Sequence, residues 1–178
     1  MKIENEITVL KINKEKFIKK LIELGAQENG PELKQIRCVY DFNPVNRNKW
    51  IRLRTNGRKT TLTIKELSGN SKMNAKELEI EVSDFEETNR ILKELGYEYR
   101  NIQENYRHIF LLDGAEISID TWPHIDPYAE IEADNKEIIK NVLNKLEIPN
   151  TQITELDVTS IYKEIYGIDI LSIKELKF

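Results

Sequence analysis

The chain has 178 residues, of which 39% are apolar and 33% charged, with a net charge of -4. That length suits one domain over residues 1–178 and is enough to bury a core. The acidic balance excludes a surface that coats DNA, and a single cysteine, Cys38, excludes a disulfide framework within the chain.

The first segment, Ile3 to Leu10, alternates Ile3, Ile7 and Val9 with Glu4, Glu6 and Thr8. Period two predicts a strand. No long apolar run follows, so neither a signal peptide nor a membrane span is expected, and the cytoplasm is the expected compartment. Asn13 then fits a helix cap. Phe17, Ile18, Leu21, Ile22 and Leu24 fall at helical spacing, and Gly25 stops the helix.

Strands are predicted around Lys34 to Phe42, Trp50 to Arg54, Thr60 to Lys65 and Lys76 to Val82. Asn56-Gly57 is a hairpin signal between two of them. Ser83 is placed as the cap of a second helix carrying Phe85, Ile91, Leu92 and Leu95, closed by Gly96. Strands follow at Asn105 to Leu112, Ala115 to Asp120 and Tyr128 to Glu132, with Asp113-Gly114 as a tight turn. Two helices, Asn135 to Leu146 and Asp157 to Tyr166, complete the pattern. About eight strands joined mostly by short turns, plus four helices, predict an α+β fold with antiparallel pairing.

Charge sits on these strands in an unusual way. Glu and Asp are poor strand formers, yet they recur on one face of each. Glu4 pairs with Glu6, and Arg52 with Arg54. Lys65 ends a strand. Glu77, Glu79 and Glu81 form a run, Glu116, Ser118 and Asp120 another, and Glu130 flanks Ile131 with Glu132. The opposite face of each strand is apolar. A half-buried sheet with its charges in water would give this alternation for any one strand. Stacked like charges on six segments argue otherwise. If helices cover the apolar outside of a curved sheet, the charges line the inside, and a barrel of about eight strands holds one small ligand.

The proposed interior holds eight acids (Glu4, Glu6, Glu77, Glu79, Glu81, Asp120, Glu130, Glu132) and four bases (Arg52, Arg54, Lys65, Arg107). Such a surplus of carboxylate in a confined space recruits hard cations such as Mg²⁺ or Mn²⁺. The arginines then need an oxyanion, and phosphate fits.

The ordered set E-N-E-I-T at the N-terminus, R-L-R at 52–54, L-T-I-K at 62–65, E-L-E-I-E at 77–81, I-D at 119–120 and Y-A-E-I-E at 128–132 resembles the CYTH family. These triphosphate tunnel metalloenzymes include class IV adenylate cyclases, thiamine triphosphatases and inorganic triphosphatases. The resemblance spans about residues 1–166 and implies a closed eight-stranded antiparallel β-barrel, a tunnel with helices packed outside. It implies phosphate binding by Arg52, Arg54, Lys65 and Arg107. It implies Mg²⁺ or Mn²⁺ held by Glu4, Glu6, Glu77, Glu79, Glu81, Asp120, Glu130 and Glu132, with Glu4, Glu6 and Lys65 in catalysis. The partner implied is ATP, thiamine triphosphate or inorganic triphosphate, with no DNA and no membrane; a homodimer is allowed. One departure stands out: the family signature is E-x-E-x-K, and here Thr8 occupies the Lys position. A hydroxyl bonds but carries no charge, so a binding module without chemistry stays open beside the enzyme.

Other residues are given structural roles. His108 and His124 lack neighbouring metal ligands, and Cys38 lacks an adjacent base. Trp50 and Trp122 are read as packing or rim residues, and Tyr162 and Tyr166 as helix-to-barrel contacts.

Overall fold

A computed structural model describes the backbone of residues 2–68 and 71–178, and the side chains of residues 5–67 and 75–178. The chain runs β1 (Lys2–Val9), α1 (Lys14–Glu23), β2 (Gln27–Glu28), β3 (Leu33–Asp41), β4 (Lys49–Thr55), β5 (Thr60–Ser68) and β6 (Ser71–Val82). It continues through α2 (Phe85–Glu94), β7 (Tyr99–Leu112), β8 (Ala115–Thr121), β9 (Tyr128–Ala133), α3 (Lys136–Leu146), β10 (Ile153–Thr154), α4 (Val158–Ser160) and β11 (Glu175–Leu176). This is an antiparallel sheet with helices, as the alternation predicts. The expected count of eight strands is corrected to eleven among the described residues. The three additional strands are two residues long, too short to show any period. One of them, β11, pairs with β7 in parallel.

The eight longer strands pair in the order β1-β6-β5-β4-β3-β7-β8-β9. β9 in turn pairs with β1 over five residues, from Asn5↔Ala133 to Val9↔Ala129. The β1–β6 ladder is shorter, with Lys2↔Glu77, Ile3↔Lys76 and Glu4↔Ala75.

Alternation decides which face is dry. Ile7 and Val9, Ile117 and Ile119, and Ala129 and Ile131 point to one core, into which α1 sends Phe17 and Leu21 and α3 sends Ile139, Val142 and Leu146. A second core joins Cys38 and Tyr40 of β3, Ile51 and Leu53 of β4 and Leu92 of α2. Each such side chain contributes about 1.5–3 kcal/mol when fully buried. The helices therefore cover much of the apolar face, although Leu78 and Ile80 of β6 stay exposed, and the charged face is turned the other way. A third cluster, Trp122, Tyr128, Tyr162, Ile170 and Leu176, packs the C-terminal segment on the sheet.

The helix caps follow the sequence with one shift. Asn13 accepts from the Lys16 N–H, and Asn135 from the N–H groups of Glu137 and Ile138. In α2 the cap is Asp84 rather than Ser83, its carboxylate accepting from Glu87. An Asp there also favours the positive end of the helix dipole. The expected last helix is a single α turn, α4, continued by a π-helix over Ile161–Ile165. Among the described residues no helix is long and apolar enough to cross a membrane.

Candidate active site

A cavity of about 720 Å³ lies against the charged face, within the range of small-molecule sites. Every one of the eight longer strands lines it. Glu6 comes from β1, Arg37 from β3, Arg52 and Arg54 from β4, and Lys65 from β5. Glu77 and Glu79 come from β6, Arg107 from β7, Glu116 and Ser118 from β8, and Glu130 and Glu132 from β9. Loop residues 46–48 and the segment from Asp157 to Glu164 complete the lining.

Acids and bases interleave around this wall because neighbouring strands place them opposite each other. Lys65 faces Glu77 across the β5–β6 ladder, and its Nζ lies 2.6 Å from the Glu77 carboxylate and 3.8 Å from Glu6. Arg52 lies 3.8 Å from Glu77 and 3.5 Å from Glu79, and Arg54 3.8 Å from Glu79. The Thr63 hydroxyl donates to Glu79 at 2.7 Å. On the far wall, Arg107 donates to both oxygens of Asp120 and, through Nη2, to Glu130 at 2.6 Å. Asn105 donates to the same Asp120 at 2.6 Å.

The electrostatics follow from this crowding. Arg52 beside it, and then burial, lower the Arg54 pKa well below the usual guanidinium value. Burial opposes ionisation of Glu77, but Arg52 and Lys65 outweigh it and hold the carboxyl below its ordinary range. Burial also works against the Arg107 charge, yet Asp120 and Glu130 raise its pKa well above normal. Burial, with Glu130 and Asp120 adding, raises the Tyr128 phenol.

Of the residues singled out in the sequence, Glu6, Arg52, Arg54, Lys65, Glu77, Glu79, Arg107, Glu130 and Glu132 come together at the cavity. Asp120 sits behind Arg107 and is fully buried. Glu81 lies outside the lining set; its side chain is 64% exposed and pairs with Lys59. The Glu4 side chain lies outside the described residues. Thr8 is buried, opposite Glu130 in the β1–β9 ladder. The charge balance departs from the expected eight acids against four bases: nine acidic and eight basic side chains line the cavity. Arg37, Arg47, Arg100 and Lys163 are the bases the sequence reading missed. Arg37 and Arg100 had no like-charged residue two positions away to mark them.

Three carboxylates, Glu6, Glu132 and Glu116, stand side by side across β1, β9 and β8. Like charges directly opposite repel, so this row is a place where a cation is welcome. Among the described residues no three such groups already converge as a metal cage.

The remaining candidates keep structural roles. His108 contacts Glu28 at 2.6 Å, between β7 and β2. Burial pushes the Cys38 thiol up to about 11, so it is a poor nucleophile. Tyr162 donates to the Pro123 carbonyl at 2.6 Å, and Tyr166 bonds Asp126 at 3.1 Å. Trp50 lines the cavity, and Trp122 lies under Arg37.

Comparison with known proteins agrees with this architecture. The family model described as the CYTH domain matches residues 4–166. A conserved hypothetical protein from Pyrococcus furiosus is 24% identical with a TM-score of 0.76, covering 87% of this chain and 97% of its own. A candidate adenylate cyclase from Vibrio parahaemolyticus is 15% identical with a TM-score of 0.75, covering 94% and 99%. A candidate adenylyl cyclase from Hippeastrum, described as having a dominant triphosphatase activity, is 15% identical with a TM-score of 0.61, covering 97% and 99%. No curated protein matches the chain by sequence.

Proposed function

The chain belongs to the CYTH domain family, and from that premise we propose that it is a metal-dependent enzyme acting on a triphosphate inside a tunnel formed by its eight longer strands. The observation that carries this is the lining itself: five arginines and a lysine interleave with carboxylates, and each of the eight longer strands contributes a charged group. A row of paired guanidinium groups matches the oxygens of a phosphate chain. Acids alone would repel it, and bases alone would hold the product as firmly as the substrate.

In this reading Arg52, Arg54, Lys65 and Arg107 orient the phosphates. Glu6, Glu77, Glu79, Glu130 and Glu132, with Glu4, supply oxygens for Mg²⁺ or Mn²⁺. The donor chemistry fits a hard cation. Mg²⁺ is usually held by one or two carboxylates together with substrate phosphates and water, so a few of these acids suffice. When bound, the metal offsets charge that develops on the phosphoryl oxygens. The arginines hold the chain in line for attack, and their own charge is available without reorganisation. In the same reading Glu6, paired with Lys65, accepts a proton from the attacking hydroxyl or water.

Two reactions share this machinery. In a cyclase, the ribose 3′-hydroxyl attacks the α-phosphorus of ATP and pyrophosphate leaves. In a triphosphatase, water attacks the γ-phosphorus and orthophosphate leaves. Incubation with ATP, thiamine triphosphate and inorganic triphosphate, with Mg²⁺ or Mn²⁺, and phosphorus NMR of the products separates them. No turnover of any of the three overturns the enzyme reading. Thr8 favours a second reading, a module that binds triphosphate without cleaving it; tight metal-dependent binding with no product identifies that case.

A further inference from the structure

Among the buried and half-buried basic residues of the cavity wall, Arg52, Arg54, Lys65, Arg100 and Arg107 each form an ion pair with a carboxylate. Arg37 forms none among the described residues, although it is only 6% exposed. Its Nη2 donates to the side-chain oxygens of Gln35, at 3.0 Å, and of Asn105. Both acceptors are neutral. The guanidinium lies over the Trp122 ring, 4.6 Å from the centroid.

Two donors in this pair are left over. Arg37 Nε and Trp122 Nε1 are both buried without a hydrogen-bond partner, and both residues line the cavity. Trp122 is 2% exposed. Buried donors are rarely orphaned in a folded protein, and a buried charge whose hydrogen bonds go only to neutral groups is costly. In the β3–β4 ladder Arg37 also stands directly opposite Arg54, so the nearest neighbour makes the electrostatic cost larger. Burial, followed by Arg52 and Arg107, pushes its pKa down to about 10. It is still protonated at neutral pH.

Asp120 favours the charge from a distance, but no carboxylate of the described residues pairs with Arg37 directly, so the cation has a use for an anion in contact. We propose that Arg37 and the Trp122 indole N–H form a binding subsite for a phosphate oxygen of the triphosphate, completing an arginine set with Arg52, Arg54 and Arg107. This rests on the triphosphate reading above.

The test is calorimetric binding of inorganic triphosphate with Mg²⁺ to the whole chain, comparing wild type, Arg52→Gln, Arg37→Gln and Arg37→Lys. Loss of one charge-assisted contact weakens binding by about tenfold to a hundredfold. Arg37→Gln is expected to fall in that range, and Arg37→Lys to recover part of the loss. If wild type binds, Arg52→Gln weakens binding and folded Arg37→Gln binds like wild type, the subsite is refuted while the triphosphate reading stands. If wild type does not bind, the triphosphate reading fails and the subsite with it. A second readout needs no change at position 37. The Trp122 indole N–H resonance, identified as the one surviving in Trp50→Phe, is expected to move downfield when triphosphate saturates wild type. A resonance that stays in place under saturation overturns the subsite even if Arg37→Gln fails to fold.

Discussion

Arg107 grips Asp120 with two parallel hydrogen bonds, Nε to Oδ1 at 2.9 Å and Nη2 to Oδ2 at 2.6 Å, from directly opposite positions of β7 and β8. The same Nη2 reaches Glu130 on β9, so one guanidinium ties together three strands.

Arg107→Met leaves Asp120, fully buried, with Asn105 as its main remaining side-chain donor. Breaking one side of a buried pair typically costs about 3–5 kcal/mol. The expected outcome is a loss in that range on urea unfolding, partly recovered by adding Asp120→Asn. A loss below about 1 kcal/mol contradicts the assigned pairing.

Arg52 and Arg54 are different, because their carboxylate contacts are longer, at 3.5 to 3.8 Å. Arg52→Ala and Arg54→Ala are each expected to reduce kcat/KM by about a hundredfold or more with little change in Tm. Activity near wild type in both removes them from phosphate binding.

The Glu77 carboxyl is held below its ordinary range in the folded chain, burial notwithstanding, by Arg52 and Lys65. A depressed carboxyl pKa contributes stability that is complete above its unfolded value, about 4.3, and that disappears as pH falls through the lower folded value. In Glu77→Gln the acid limb of the stability curve is expected to flatten over that window. Urea midpoints measured from pH 6 down to pH 3 check this, and parallel curves for the two proteins rule it out.

Thr8 is fully buried and stands opposite Glu130. Thr8→Lys puts a longer side chain and a charge there, and overpacking costs about 1–3 kcal/mol. Stability is expected to fall while affinity for inorganic triphosphate rises. Unfolding curves and calorimetry measure the two effects separately, and an affinity no higher than wild type rejects the role assigned to the missing lysine.

Much of the site was legible because alternation reports which face of a strand a residue occupies. Arg52 with Arg54, and Glu77 with Glu79, were readable for that reason. Alternation does not report how far along the strand a residue lies. Glu81 shares the face of Glu79, yet pairs with Lys59 in solvent. Arg37 was missed because its same-face neighbours, Gln35 and Val39, carry no charge and so give no repeat. The first part of β7 escaped for the same reason: Asn101 and Gln103 are buried polar groups with no apolar-polar contrast to read. The cavity segment from Asp157 to Glu164 has helical spacing, and its partner surface is not encoded locally.

The register of β1 has a consequence for the order of assembly. Its neighbours are residues 75–77 on one edge and 129–133 on the other. One edge of β1 can pair once β6 has been made, but the other waits for β9, much later in the sequence. Docking of β1 between β6 and β9 is the step that fixes Glu6 next to Lys65, so competence to bind arrives late and all at once rather than growing with chain length.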